Sequence, residues 1–511
     1  MAVKALKVHS GQVVGLSGQI IDVEIDLTQG LYHFSVVGLP DKAVEEAKDR
    51  ISAAIKNSGF DSPQKGNKRI IISLAPADIK KEGPAFDLAF ALSYLLISDQ
   101  VSFSPEKKIF LGELGLDGTV RPIKGALNLA KIAKQNNFEE IYLPAENAEE
   151  AALIKGLKIF PVKTLKDLSM HLEQKEEFEL SEQPETLIIV DANPKYLLDF
   201  SDIKGQETAK RGLEIAAAGG HNVAMIGPPG TGKTMLAKAF TSILPPLSFE
   251  ESLETTAIHS AAGTLDGPYL TYRPLRTPHH TSSYVALVGG GAWPRPGEIT
   301  LGHRGVLFLD EFPLFENRVI ESLRQPLEDG VVTISRARGS IRFPARFILM
   351  CAMNPCPCGN LGSPTKECVC SQSNLLRYQR KISGPIIDRI DLWLEVPQVE
   401  IKKLSDDKIT SESSKEIQKR IIRAREIQSE RFKNKNILTN AEMGVRELKQ
   451  FAPLSPEVRN ALDQAAQRMD FSARAYHRVI KLARTIADLE ESKDILETHI
   501  FEAINYRPKA S

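Results

Sequence analysis

Gly227-Pro-Pro-Gly-Thr-Gly-Lys-Thr234 matches the phosphate-binding pattern G-x-x-x-x-G-K-[ST] at every fixed position. The apolar run Asn222-Val-Ala-Met-Ile226 precedes it and the helix-compatible run Met235-Leu-Ala-Lys-Ala-Phe240 follows it. That order predicts a strand, a loop and a helix, the setting such a loop needs. Gly227, Gly230 and Gly232, with Pro228, Pro229 and Thr231 between them, let backbone N–H groups curl around phosphates at a helix N-terminus. Lys233 supplies a point charge to the phosphates, and Thr234 a hydroxyl for Mg²⁺. The expected ligand is a nucleoside triphosphate.

Outward from the loop, the chain has 511 residues, enough for about three domains on general size grounds. Its 65 basic and 65 acidic side chains cancel, so a nucleic-acid contact needs a local basic patch. The first ten residues hold no apolar core of a signal peptide. The apolar run Leu88–Ile97 is too short to span a bilayer. The five cysteines, four of them clustered, do not form a secreted disulfide framework. A soluble, cytoplasmic protein without a membrane partner is expected.

Four segments follow from pattern. Residues 1–172 alternate strand and helix and predict an α/β domain: strands near 18–26, 32–38 and 68–74, helices over 42–57 and 86–96, and a hairpin turning at Asp117-Gly118. Residues 173–198 begin with an acidic run almost free of aliphatics, read as an exposed linker. Residues 199–396 carry the nucleotide motifs on a parallel α/β sheet, and 397–511 read as helical. In Gly305-Val-Leu-Phe-Leu-Asp-Glu311 an apolar strand ends in two carboxylates, where open parallel sheets put their active groups. Asp310 is expected to hold Mg²⁺ through water, and Glu311 to activate the attacking water. The next apolar strand, Arg346–Met353, ends in Asn354, which is either a water-orienting amide or an ordinary turn residue before Pro355. His279 and His280, adjacent in a stretch read as strand, are expected on opposite faces. Val331–Arg346 contains four arginines and no acid, and reads as a hairpin around Ala337-Arg338-Gly339. Arg336 and Arg338 there suit phosphate contact, and a solvated hairpin is the alternative. Cys356-Pro-Cys358 and Cys368-Val-Cys370 offer four thiolates to a tetrahedral Zn²⁺, although C-x-C is tighter than the usual spacing. Reduced, unligated cysteines are the alternative reading, and Cys351 reads as core.

Several of these stretches resemble known families. Glu82-Gly-Pro-Ala-Phe-Asp-Leu88 and Gly112-Glu-Leu-Gly-Leu-Asp-Gly-Thr-Val-Arg-Pro-Ile123 resemble the proteolytic domain of Lon-type proteases, with its ribosomal S5-like fold. The serine and lysine of that family's dyad fall on Ala85 and Leu127, and Lys124 nearby does not replace the lysine, so the domain is expected to be catalytically inactive. Asp202-Ile-Lys-Gly-Gln206 resembles the adenine-cupping entry of AAA+ ATPases, which implies nucleotide contacts for Ile203 and Gln206. A plain helix cap explains Ser201 and Asp202 equally well. Asn354 corresponds to that family's sensor-1 residue. Gly384-Pro-Ile-Ile-Asp-Arg-Ile-Asp391 resembles the segment presenting an arginine finger to a neighbouring subunit, with Arg389 first and Arg380 second as the candidate, and a structural ion pair is the alternative for either. Arg474, near the start of the amphipathic helix 471–489, matches the sensor-2 arginine of the lid. The insertion after the first nucleotide motif, the hairpin and the C-terminal lid resemble the magnesium-chelatase-like branch of AAA+ proteins, and the Lon-like domain narrows this to the ComM/YifB family. The resemblance implies a homohexamer driven by ATP and Mg²⁺ that moves on single-stranded and branched DNA during natural transformation. A chelatase-type subunit remodelling a protein partner, or a regulator of ATP-dependent proteolysis, are the competing readings.

Overall fold

The computed structural model describes residues 6–175, 178–188, 198–291, 294–336, 339–362, 366–399 and 412–508. They divide into two compact units. The first comprises residues 1–189, 248–270 and 293–295, and the second residues 190–247, 271–292 and 296–511.

The first unit is built on a seven-stranded mixed sheet in the order His33–Val37, Lys68–Ala75, Ser17–Gln29, Leu6–Val14, Lys108–Phe110, Glu140–Pro144, Lys158–Val162. Leu6–Val14 and Ser17–Gln29 form an antiparallel hairpin in the register Val8↔Val23, which puts Val8, Ile21, Val23 and Ile25 on the buried face. Against that face lies the helix Asp87–Ile97, which is apolar on nearly every side and correspondingly buried. The two positions that the sequence resemblance sets against a Ser–Lys dyad are Ala85 and Leu127. Ala85 sits in a short 3₁₀ turn and its carbonyl accepts from Gly112 N at 3.0 Å. Leu127 is buried, its N–H donating to Glu150 Oε1 at 2.8 Å. Glu150 also accepts from the hydroxyl of Ser260, on the helix Phe249–Ala262. That helix lies between the two nucleotide motifs in sequence, yet it packs on the helix Ala126–Gln135 of the first unit, where Gly125 N donates to Ser260 O at 3.1 Å. The acidic run expected as exposed linker also follows this unit: Gln183 N donates to Ile159 O at 2.8 Å and Thr186 N to Ala152 O at 3.1 Å. The first bond satisfies a carbonyl of the edge strand Lys158–Val162, and the second the carbonyl of the residue that caps the helix Ala148–Ala151.

The second unit holds a five-stranded, all-parallel sheet in the order Leu275–Arg276, Val306–Leu309, Ile348–Met353, Val223–Ile226, Leu392–Glu395. In chain order of its strands this is 2-3-4-1-5, which leaves the phosphate-loop strand flanked by the fourth and fifth. Asn222 staples the entry: its N–H donates to Asp391 Oδ2 at 2.9 Å, its Oδ1 accepts from Leu349 N at 2.9 Å and its Nδ2 donates to Arg389 O at 3.0 Å. The C-terminal helices Ser414–Arg431, Ala473–Leu489 and Glu497–Asn505 share one apolar core with the sheet and the helix Glu207–Gly219. On Ala473–Leu489, Val479, Leu482, Ala483 and Ile486 face inward, as the sequence pattern predicts.

Asp391 is the polar centre of that packing. Burial pushes its carboxyl up, but Arg478, His221 and the Asn222 N–H together outweigh burial and hold it well below the usual carboxylate range. Removing Arg478 leaves a buried carboxylate without its cation, so Arg478→Ala should destabilise the protein by about 3 kcal/mol in denaturant titrations. Because the folded carboxyl is depressed, the stabilisation is present above about pH 4 and is lost as pH falls, so the wild-type advantage over the variant should shrink in acid.

Candidate functional site

The carboxyl end of the parallel sheet gathers the motifs. Gly232 precedes the helix Lys233–Ile243 with φ 88°, a left-handed conformation that a residue with a Cβ adopts at a cost, and its carbonyl accepts from Leu236 N at 2.9 Å. The Lys233 amine is folded onto the loop, donating to Gly227 O at 2.8 Å, Pro228 O at 2.9 Å and Asn354 Oδ1 at 3.3 Å. Burial lowers its pKa, with the Asp310 carboxylate pulling the other way. Thr231 Oγ1 donates to Pro228 O at 3.0 Å and closes the turn on which Pro229 and Gly230 are exposed.

The Thr234 hydroxyl donates to Asp310 Oδ2 at 2.8 Å. Two hard oxygen donors thus meet beside the loop, the donor type that Mg²⁺ takes. Asp310 ends the buried strand Val306–Leu309, and its other oxygen accepts from Glu311 N at 2.9 Å. Glu311 has φ 52°, an uncommon conformation for a residue with a side chain and one that clusters at functional sites. Its carboxylate is half exposed, with His280 Nδ1 at 3.1 Å from Oε2.

His280 corrects the sequence reading. It and His279 lie in a turn, with ring centroids 4.1 Å apart, so the pair does not straddle a strand. The strand Leu275–Arg276 stops before Pro278, which lacks the N–H that a ladder needs. Pro278 was the signal available in the sequence for bringing His280 to the carboxylate pair, and alternation reasoning passed over it.

The entry segment reaches the same loop. Ile203 is buried, and Gln206, at φ 61°, donates from Nε2 to Pro397 O at 2.6 Å, with Thr231 O at 3.5 Å. Gln206 Oε1 is buried without a partner among the described residues. An orphaned acceptor beside the phosphate loop suits the exocyclic amine of a purine.

The candidate arginines lie elsewhere in the unit. Arg389 is 5% exposed, donates to Pro385 O at 2.7 Å and forms an ion pair with Glu328 of its own chain. Arg474 is exposed beyond the Ser472 cap, and after Arg389 it helps hold the Glu328 carboxyl below its usual range. Neither guanidinium hydrogen-bonds to Gly227–Thr234 among the described residues. Arg380, at the end of the helix Gln372–Gln379, is exposed.

The arginine-rich segment forms the expected hairpin. Val331–Arg336 pairs antiparallel with Gly339–Pro344, Ile334 opposite Ile341 and Arg336 opposite Gly339. Val332, Ile334 and Phe343 anchor its inner face, and Ser335 and Ser340 join across the exposed face at 3.1 Å. Arg336 closes the first strand, and Arg338 lies outside the described residues.

The four clustered cysteines converge. Cys356 Sγ lies 3.4 Å from Cys358 Sγ and 3.7 Å from Cys368 Sγ, and all four sulfurs, Cys370 included, fall within 4.8 Å of one another. Tetrahedral thiolates about 2.3 Å from Zn²⁺ stand about 3.8 Å apart, so the set fits that ion. Leu361 N donates to Cys356 Sγ at 3.3 Å, as an N–H does to a thiolate ligand. Cys351 is fully buried in the strand Ile348–Met353.

Three family models match the chain in succession: subunit ChlI of Mg-chelatase over residues 23–147, magnesium chelatase subunit ChlI over 199–404, and the ChlI C-terminal region over 411–507. Competence protein ComM of Haemophilus influenzae is 40% identical over 502 residues, 98% of this chain and 97% of that protein. Protein YifB of Escherichia coli is 42% identical over 502 residues, 98% of this chain and 96% of its own length. The magnesium-chelatase 38 kDa subunit of Rhodobacter capsulatus is 28% identical over 183 residues, 32% of this chain and 52% of that protein.

If Thr234 and Asp310 serve a divalent ion, Thr234→Ala and Asp310→Asn should each weaken nucleotide binding in Mg²⁺ by about tenfold or more. Binding in the presence of a chelator should change little in either variant, as read by titration of a fluorescent ADP analogue.

Proposed function

The chain belongs to the ComM/YifB family of magnesium-chelatase-like AAA+ proteins, and on that premise we propose that it is an ATP-hydrolysing, homohexameric motor that moves on single-stranded and branched DNA and promotes branch migration as donor strands are integrated. One observation carries the reading: Lys233, Thr234, Asp310 and Asn354, from three neighbouring parallel strands and their loops, are joined by hydrogen bonds at one sheet edge. Thr234 and Asp310 would hold Mg²⁺, which would neutralise charge on the phosphoryl group transferred from ATP. The Lys233 amine exchanges the carbonyls of Gly227 and Pro228 for phosphate oxygens. Glu311, steered by His280, takes the proton of the attacking water, and the Asn354 amide orients that water. Ile203 and Gln206 hold the base.

A guanidinium on the transferring phosphoryl group completes the site from a neighbouring subunit. Arg389 serves there once it is released from Glu328, Arg380 is the exposed second candidate, and Arg474 acts from the helical lid. Cys356, Cys358, Cys368 and Cys370 hold a structural Zn²⁺.

The task on DNA rests on the acid-free hairpin, whose Arg336 and Arg338 meet backbone phosphates, and on the printed name of a relative covering nearly the whole chain, competence protein ComM. The chelatase-type alternative, remodelling of a protein partner, has a relative matching only 32% of the chain. No helix among the described residues is long and apolar enough to cross a membrane, and we propose a cytoplasmic site of action.

ATP hydrolysis with and without single-stranded and branched DNA tests the reading. DNA should stimulate the wild type, and the double variant Arg336→Ala/Arg338→Ala should lose most of that stimulation and show a shallower salt dependence, while its basal rate stays unchanged. A rate indifferent to every DNA would favour the protein-remodelling alternative.

A further inference from the structure

The thiolate cluster is not remote from the phosphate loop. Cys356 follows Asn354 by two residues and is fully buried. Asn354 accepts from the Lys233 amine at 3.3 Å. From Cys358 the chain turns at Gly359, φ 80°, and this glycine rests on the phosphate loop: a Cβ there would stand 2.6 Å from Pro229 Cδ, closer than side-chain carbons come. Beyond Cys370 the chain enters the helix Gln372–Gln379, whose Tyr378 hydroxyl donates to Asn354 O at 3.2 Å. Burial pushes that phenol up to about 12, so it stays a donor. The loop closed by the two cysteine pairs and the residues flanking it thus meet the nucleotide site at two places: Pro229 through Gly359, and Asn354, which precedes Cys356 and accepts from Tyr378.

We propose that the tetrathiolate metal site governs nucleotide affinity: Zn²⁺ held by Cys356, Cys358, Cys368 and Cys370 fixes the loop that positions Asn354 and Pro229 against Lys233. The inference rests on the zinc reading above and adds a consequence to it. With the four sulfurs within 4.8 Å of one another, the ion would tie Cys356 and Cys358 to Cys368 and Cys370 and so hold Gly359, next to Cys358, on Pro229. Without the ion, four thiols at this distance have no shared partner, and Asn354 and Gly359 lose their common anchor. The ligands position residues; they do not touch the reacting phosphate. Metal supply would thus set how tightly the protein holds nucleotide, before any hydrolysis takes place.

The test combines metal analysis of the purified full-length protein with titration of a fluorescent ADP analogue, a binding readout independent of turnover. Wild type should carry about one zinc per chain. Cys368→Ser/Cys370→Ser should lose the zinc and bind the analogue at least about tenfold more weakly. Gly359→Ala, which leaves every thiol in place, should keep the zinc and still bind more weakly, because its Cβ displaces the seat on Pro229. A wild type with zinc whose affinity survives both removal of the ion and Gly359→Ala would overturn the coupling and leave a purely structural zinc. A purified protein without zinc, whose affinity is indifferent to added Zn²⁺, would overturn the zinc reading and the coupling with it.

Discussion

The hydrogen bond from Thr234 to Asp310 closes a sequence separation of 76 residues, and most of the second unit can be understood as the means of forming it. Neither residue is near the other unless the strand Val223–Ile226 lies in the same parallel sheet as Val306–Leu309, with Ile348–Met353 between them. Parallel strands aim their carboxyl ends the same way, so the loop, the carboxylate pair and Asn354 emerge on one edge. The entry ends of those strands are fixed in turn by Asn222, which bonds to Leu349 in one segment and to Arg389 and Asp391 in another, and by Asp391, which ties the fifth strand to the C-terminal helix through Arg478. A polar staple at one end of the sheet thus sets the geometry at the other. The cost of burying Asp391 is offset only by its partners, so the helical region is a structural part of the nucleotide unit.

Much of this was legible in the sequence. The phosphate loop announces itself because its glycines, lysine and threonine have few substitutes, and the strand before Asp310 because a run of buried aliphatics seldom ends in two acids. The helix Lys42–Asn57 and the inward face of Ala473–Leu489 follow from period alone. The hairpin was visible as alternation interrupted by Ala337-Arg338-Gly339. Local pattern fails where the outcome is decided by tertiary partners. Nothing in Phe249–Ala262 says that it will pack on Ala126–Gln135, since its buried side is mostly hydroxyl and imidazole groups (Ser252, Thr255, Thr256, His259, Ser260) rather than an apolar stripe. Arg389 reads in its motif either as a finger or as a structural ion pair, and its partner, Glu328 of the same chain, is visible only in the structure. His280 was misread because period-2 reasoning was carried past Pro278. The cysteine pairs looked too tight by spacing, yet the turn at Gly359 brings their sulfurs together.

In the first unit the buried Glu150 accepts from Leu127 N and from the Ser260 hydroxyl, which joins two helices far apart in sequence. The packed α/β scaffold thus recruits residues 248–270 from between the two nucleotide motifs. The chain therefore enters and leaves the first unit in the middle of its ATPase sequence, a routing that links the two units covalently at more than one point.

We propose that nucleotide held at Gly227–Thr234 powers the movement of DNA. ATP hydrolysis and branch migration of a three-stranded DNA junction, measured side by side in wild type and Lys233→Ala, test this most directly. Both activities should disappear together in the variant while the protein remains folded. Branch migration that persists in Lys233→Ala after hydrolysis is gone would contradict it.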